Sequence, residues 1–285
     1  MEMKVVETIA DIRTQVRALK AKGKKVAFVP TMGALHGGHL SLIHLAKKNA
    51  DAVVVSIYVN PAQFGVNDDF STYPKTTEAD LELCKMEGVD LVFMPSTEIM
   101  YGSGTKYFSI EIKELNKYLD GGSREGYFQG ISLVVNKLFN IVEADIAIFG
   151  QKDYQQFRII EQMVKEFNHD VKLIMAPIGR AKDGLALSSR NVYLSEMERE
   201  IAPTLYKVLE EVERALKNGL LEPEMLLREK QRELAEKGFK NDYLNVFSLE
   251  KMWPVNKLEK GTSYLIAAAA YLGKTRLIDN ILFEN

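Results

Sequence analysis

Between Val26 and Met175 the chain alternates apolar runs of strand length with amphipathic stretches of helix length, and this rhythm restricts its architecture most. Val26–Pro30 (VAFVP) is followed by His39–Ala50, with Leu40, Ile43, Leu45 and Ala46 at helical spacing. Ala52–Val59 (AVVVSIYV) is a continuous β-branched run, as a strand buried on both faces requires. A helix over Thr76–Glu87, a strand over Asp90–Met94, a helix over Gly130–Val142, a strand over Ile146–Phe149, a helix over Tyr154–Phe167 and a strand over Lys172–Met175 complete the series. Strand–helix alternation of this kind predicts a doubly wound parallel sheet of the α/β class. Such sheets bind ligands at the carboxyl ends of their strands, which directs attention to the loops after Val29, Val59 and Phe149.

The pattern changes near residue 180. Helices near Ser195–Lys217 and Pro223–Lys237 precede strand-like runs at Tyr243–Phe247, Tyr264–Tyr271 and Thr275–Leu282, the order of a smaller α+β domain. The expected division is therefore a larger α/β domain over 1–179 and a smaller α+β domain over 180–285. Its 37 basic and 39 acidic residues leave a net charge of -2, so no overall field favours nucleic acid or an anionic membrane. The N-terminus is charged and lacks an apolar leader core, and the longest apolar run, Tyr264–Leu272, falls far short of the roughly 20 residues that span a bilayer. The single cysteine, Cys84, cannot form an internal disulfide and sits in an apolar pattern. A cytoplasmic protein is expected.

The first loop, Pro30-Thr31-Met32-Gly33-Ala34-Leu35-His36-Gly37-Gly38-His39, leaves a strand and opens a helix. Helix N-termini offer backbone N–H groups and a partial positive charge to phosphate, and glycines 33, 37 and 38 allow close approach. Gly33 and Gly38 have Walker A spacing, but His39 and Leu40 stand where Lys and Ser/Thr are required. What remains is His-x-x-His in the first helical turn, with both imidazoles toward one side and able to donate to a phosphoryl oxygen. Incidental turn histidines, or two ligands of a metal, are alternatives; for a metal, neither a cysteine nor an obvious carboxylate third ligand lies nearby. His44 is expected to be packed or solvent-facing.

Further along, Asn60-Pro61-Ala62-Gln63-Phe64 can turn two amides toward a ligand, although turn chemistry alone also accounts for the segment. Gly150-Gln151-Lys152-Asp153 again joins a strand to a helix, with Lys152 a point charge for phosphates and Asp153 a plausible cap. Arg180–Asn191 (RAKDGLALSSRN) places glycine, two hydroxyls and an arginine in one loop, a composition suited to clamping polyphosphate.

In their order along the chain, PTMGALHGGH (30–39), VNPAQF (59–64), DDFSTYPKT (68–76), FGQKDYQQ (149–156) and DGLALSSRN (183–191) resemble the pantoate–β-alanine ligase family of HxGH nucleotidyltransferases. The resemblance implies a Rossmann-like, nucleotide- and pantoate-binding domain over 1–179, a lid-like C-terminal domain over 180–285, a homodimer, and two-step chemistry. ATP with Mg²⁺ would adenylate pantoate, and β-alanine would then displace AMP. Carried over motif by motif, Met32, Gly33, Ala34, Leu35, His36, Gly37, Gly38 and His39 would line the ATP site. Gly150, Gln151, Lys152, Asp153, Gly179, Leu187, Ser188, Ser189 and Arg190 would complete it. His39 is the implied proton donor, with His36, Lys152 and Arg190 beside the phosphates. Gln63 and Gln156 would hold pantoate, Val134 and Val135 would meet its gem-dimethyl group, and Gln63 would also touch β-alanine. No protein side chain is assigned to the metal. The sequence departs from the family pattern at Gly37 and Gln151, where Glu is common, at Gly179, where Val is usual, and at Tyr127, which replaces a His.

Overall fold

The computed structural model describes residues 2–65, 68–103 and 107–285. In chain order the elements are β1 (Lys4–Val6), α1 (Ile9–Lys20), β2 (Val26–Thr31), α2 (Gly37–Asn49), β3 (Ala52–Ile57), α3 (Thr77–Met86), β4 (Leu91–Phe93), α4 (Thr97–Tyr101), α5 (Leu119–Ser123), α6 (Tyr127–Val142), β5 (Ile146–Gly150), α7 (Tyr154–Glu166) and β6 (Lys172–Ala176). They are followed by α8 (Glu196–Ile201), α9 (Thr204–Lys217), α10 (Glu224–Glu236), β7 (Phe239–Ser248), β8 (Ser263–Leu272) and β9 (Thr275–Glu284). The chain forms two compact units. One holds Met1–Ile112, Arg124–Gln151 and Gln156–Pro177; the other holds Lys113–Ser123, Lys152–Gln155 and Ile178–Asn285.

The first unit is built on a six-stranded sheet ordered β1-β4-β3-β2-β5-β6, parallel throughout. Every residue of β3 and the first four of β2 are buried, which is why both read as continuous apolar runs. Aspartates lock the register at the amino ends of the strands. Asp51 accepts from the backbone N–H of Lys25 (2.9 Å), Asp90 from Val53 (2.9 Å) and Asp145 from Val26 (2.7 Å). Strand order reverses between β2 and β5, so the crevice beyond their carboxyl ends is the expected ligand position for this topology. The residues leaving those ends are Met32 and Gln151.

The second unit carries a three-stranded antiparallel sheet, β7-β8-β9. Leu205, Val208, Leu209, Val212 and Leu216 of α9 recur at helical spacing and form one core with Leu244, Val246, Ile266, Ala268 and Ala270. The stretch expected as one helix over Ser195–Lys217 is two, because Pro203, lacking an N–H and crowding the preceding turn, stands between α8 and α9. Among the described residues no helix is long and apolar enough to cross a membrane.

Candidate active site

The loop after β2 is held almost entirely by bonds to its own backbone N–H groups. Thr31 Oγ1 donates to the Ser56 carbonyl (2.7 Å) and accepts from the N–H of Gly33 (3.2 Å). Gly33 (φ +83°) and Ala34 (φ +49°) both take left-handed conformations, at a cost of about 1 kcal/mol for the alanine. The carboxylate of Asp80, from α3, offsets this cost by accepting from Ala34 (2.9 Å) and Leu35 (2.8 Å). Asp80 is 1% exposed and also accepts from Thr76 Oγ1 (3.1 Å).

Both histidines finish the turn. His36 is the N-cap of α2, and its Nδ1 accepts from the N–H of Gly38 (3.1 Å). Nδ1 of His39 accepts in return from the N–H of His36 (3.3 Å), a reciprocal capping box made with imidazoles. The rings lie 4.2 Å apart between centroids. A nitrogen that accepts from a backbone N–H carries no proton, so each neutral ring holds its proton on Nε2. The expected anion site of open backbone N–H groups is thus modified: those of residues 33–36 and 38 are bonded within the protein. His44 lies elsewhere, paired with Glu87 at 2.5 Å.

Gln63 closes a 3-10 turn over Pro61–Gln63. Its Oε1 accepts from Asn60 Nδ2 (3.1 Å), which fixes the amide orientation and turns Nε2 toward Met32 Sδ (3.1 Å). Asn60, 1% exposed, serves the turn rather than a ligand: it also donates to the Gly130 carbonyl (3.2 Å) and accepts from Ala62 N–H (3.2 Å) and the Tyr101 hydroxyl (2.7 Å). Burial pushes the Tyr101 phenol upward, keeping it a donor. Gly130 is the close-approach point, since a Cβ there would collide with the Ala62 carbonyl. Val134 and Val135 lie on the buried side of α6, 6% and 5% exposed. Gly150 ends β5 and Gln151 follows it, and Gln156 is half-buried on α7. Tyr127 lies under the Arg124 guanidinium at 3.5 Å, and Arg124 pairs with Asp68 at 2.7 Å.

The second unit contains Lys152, Asp153, Gly179 and Leu187–Arg190. Lys152 Nζ stands 3.9 Å from Asp153, and the Lys152 carbonyl accepts from Asn280 Nδ2 at 2.9 Å. The 179–190 loop folds back on itself: Leu187 N–H donates to the Gly179 carbonyl (2.9 Å), and Arg180 bridges Ala186. The Gly179 carbonyl is thus engaged within the loop. Arg180 makes a two-pronged bond to Asp279 (2.6 and 2.9 Å) and stacks 3.5 Å over the Tyr206 ring. Burial pushes the Asp279 carboxyl upward, while Arg180 opposes this. Ser188 Oγ caps the 3-10 turn Ser189–Tyr193 by accepting from Arg190 N–H (3.3 Å).

Asp80, Asp279 and Asn280, which brace these loops, are not singled out by the sequence reading. Only Asp80 carried a signal, a charged residue four before Cys84 in the apolar stripe of α3.

A family model described as pantoate-beta-alanine ligase matches residues 4–282. A pantothenate synthetase from Sulfurihydrogenibium sp. (strain YO3AOP1) is 46% identical over 284 residues, 99% of this chain and 100% of that protein. The crystal structure of pantothenate synthetase from Thermus thermophilus superposes with a TM-score of 0.90 at 38% identity, covering 98% of this chain and 99% of that one. A Francisella tularensis pantoate-beta-alanine ligase, complexed with beta-gamma ATP and beta-alanine, gives 0.83 at 37% identity over 98% and 97%.

Proposed function

The chain belongs to the pantoate–β-alanine ligase family, and from that premise we propose that it is an AMP-forming ligase that condenses pantoate with β-alanine through an enzyme-bound pantoyl adenylate. A carboxylate is a poor acyl donor to an amine. Attack of the pantoate carboxylate oxygen on the α-phosphorus of ATP releases pyrophosphate and leaves a mixed anhydride. The β-alanine nitrogen then attacks the carbonyl, loses a proton, and expels AMP. No side-chain nucleophile is needed, so the protein contributes positioning and charge stabilisation.

In this scheme Met32, Gly33, Ala34, Leu35, Gly37 and Gly38 form the ATP loop of the first unit, with Gly150 and Gln151. His39 donates its Nε2–H to the phosphate oxygen on which charge grows, and His36 is a second contact. In the second unit Lys152 supplies a point charge and Arg190 a planar fork, with Asp153, Gly179, Leu187, Ser188 and Ser189 as further ATP contacts. Gln63 presents its Nε2 to the pantoate carboxylate and then to β-alanine, Gln156 holds pantoate from α7, and Val134 and Val135 face its methyl groups. Mg²⁺ would ride on the ATP phosphates and neutralise charge there. A cytoplasmic homodimer completes the proposal; light scattering at micromolar concentration tests the dimer.

The observation that carries the reading is the reciprocal histidine cap, which fixes Nε2–H on both rings, beside a Gln63 amide tied to Met32 of the same loop. The test is ATP–pyrophosphate exchange with Mg²⁺ and no β-alanine. Pantoate should drive exchange. Exchange with no acid present would sink the ligase mechanism, and exchange with another acid alone would change the substrate.

A further inference from the structure

Two adjacent residues of β9 hold different parts of the second unit. The Asp279 carboxylate, 4% exposed for the residue, grips both prongs of Arg180 at the base of the 179–190 loop. The next side chain, Asn280, is equally buried and donates from Nδ2 to the main-chain carbonyl of Lys152 at 2.9 Å, across 128 residues of sequence. The two are joined through the backbone, since Asn280 N–H donates to Asp279 Oδ1 at 2.7 Å. A small cavity of about 20 Å³, room for one water, has Lys152, Ser188, Asn191 and Asp279 on its walls. Lys152 and the Ser188 end of the loop therefore face one space, and β9 backs both.

Taking Lys152 and Ser188–Arg190 as phosphate contacts, as proposed for the ligase, we infer that Asn280 is a positioning residue that sets the place of Lys152 relative to the 179–190 loop. The hydrogen bond to its carbonyl fixes the Lys152 backbone, and so the origin of a long, otherwise flexible side chain. The bond from Asn280 N–H to Asp279 ties that origin to the same carboxylate that anchors Arg180. A 1 Å error in the origin of a charge meant for a developing phosphate is costly in rate.

The experiment is a double-mutant cycle on the whole enzyme, read by pantoate-driven ATP–pyrophosphate exchange and by urea unfolding. Lys152→Ala tests the underlying assignment: if it leaves exchange unchanged, Lys152 is not a phosphate contact and the ligand reading of that residue fails first. With Lys152→Ala impaired, Asn280→Ala should lower kcat by about 3- to 10-fold, the kinetic equivalent of one neutral hydrogen bond. In the Lys152→Ala background the same change should cost less than about 2-fold, because the group it positions is gone. Asn280→Leu, which keeps volume and removes the donor, should behave like the alanine variant. Equal losses in both backgrounds, full activity in Asn280→Ala, or recovery of activity by the leucine would each overturn the inference. Should Asn280→Ala unfold, the leucine variant carries the same cycle.

Discussion

The backbone N–H of His36 donates to Nδ1 of His39 at 3.3 Å, and this bond leaves His39 with its proton on Nε2. The inner nitrogen caps the helix; under the proposed mechanism the outer one is the donor to phosphate.

The two roles separate by mutation. His39→Ala should lose at least about 100-fold in kcat, the usual cost of removing a transition-state donor, and about 0.5–2 kcal/mol of stability with the cap. His39→Asn places an amide oxygen where it can accept the same N–H but has no Nε2–H. It should recover much of the lost stability in urea titrations and none of the lost turnover. Recovery of turnover together with stability would return His39 to a purely capping role.

Asp80 makes a second, quieter contribution. Its carboxylate satisfies the N–H groups of Ala34 and Leu35 while excluded from solvent. Asp80→Asn must set an NH₂ against one of those N–H groups, leaving a buried donor unmet at a cost of about 1–3 kcal/mol. The left-handed turn at Gly33–Ala34 would relax, moving the cap with it. Weaker ATP binding by calorimetry should accompany the lower urea midpoint, and unchanged ATP affinity in a destabilised variant would restrict Asp80 to folding.

These cases mark what the sequence shows about the site and what it hides. β2 and β3 are legible because burial on both faces writes an unbroken apolar run, and α2 because Ile43 and Ala46 keep helical spacing. β1 is not, since it has three residues, two of them exposed. The loops around His36, Gln63, Lys152 and Ser188 stand out in the sequence by residue type. Their supports do not: Asp80 lies 45 and 46 residues from the N–H groups it accepts from, and Asn280 lies 128 residues from the carbonyl it holds. The joining of Lys113–Ser123 and Lys152–Gln155 to the second unit has the same origin, in contacts such as Arg276 with Asp120 (2.6 Å) and Gln155 with the Leu115 carbonyl (2.7 Å). Pairing at long range is a property of the folded chain.

Gly130 offers a test of packing. A methyl group there meets the carbonyl of Ala62, a backbone atom that cannot rotate away, so α6 and the turn bearing Gln63 must separate. Gly130→Ala should cost about 1–3 kcal/mol, the range for overpacking, despite alanine's better helix propensity. If Gln63 binds pantoate, the KM for pantoate should rise more than that for ATP. A rise confined to ATP would place the turn outside the acid's site.

Cys84 sets an expectation on the alkaline side. It is fully buried, and burial first, with the Asp80 charge second, pushes its thiol from 9.0 up to about 12. A folded-state value above the unfolded one means that the native protein holds the proton longer. The stabilising contribution is complete below about pH 9 and is lost as pH rises toward 12. Urea titrations from pH 7 to 11 should therefore show stability falling above pH 9, with a shallower fall in Cys84→Ala. The native thiol should also resist alkylation at neutral pH and react once urea unfolds the chain. An identical alkaline slope in the two proteins would mean that Cys84 does not titrate across unfolding as its burial requires.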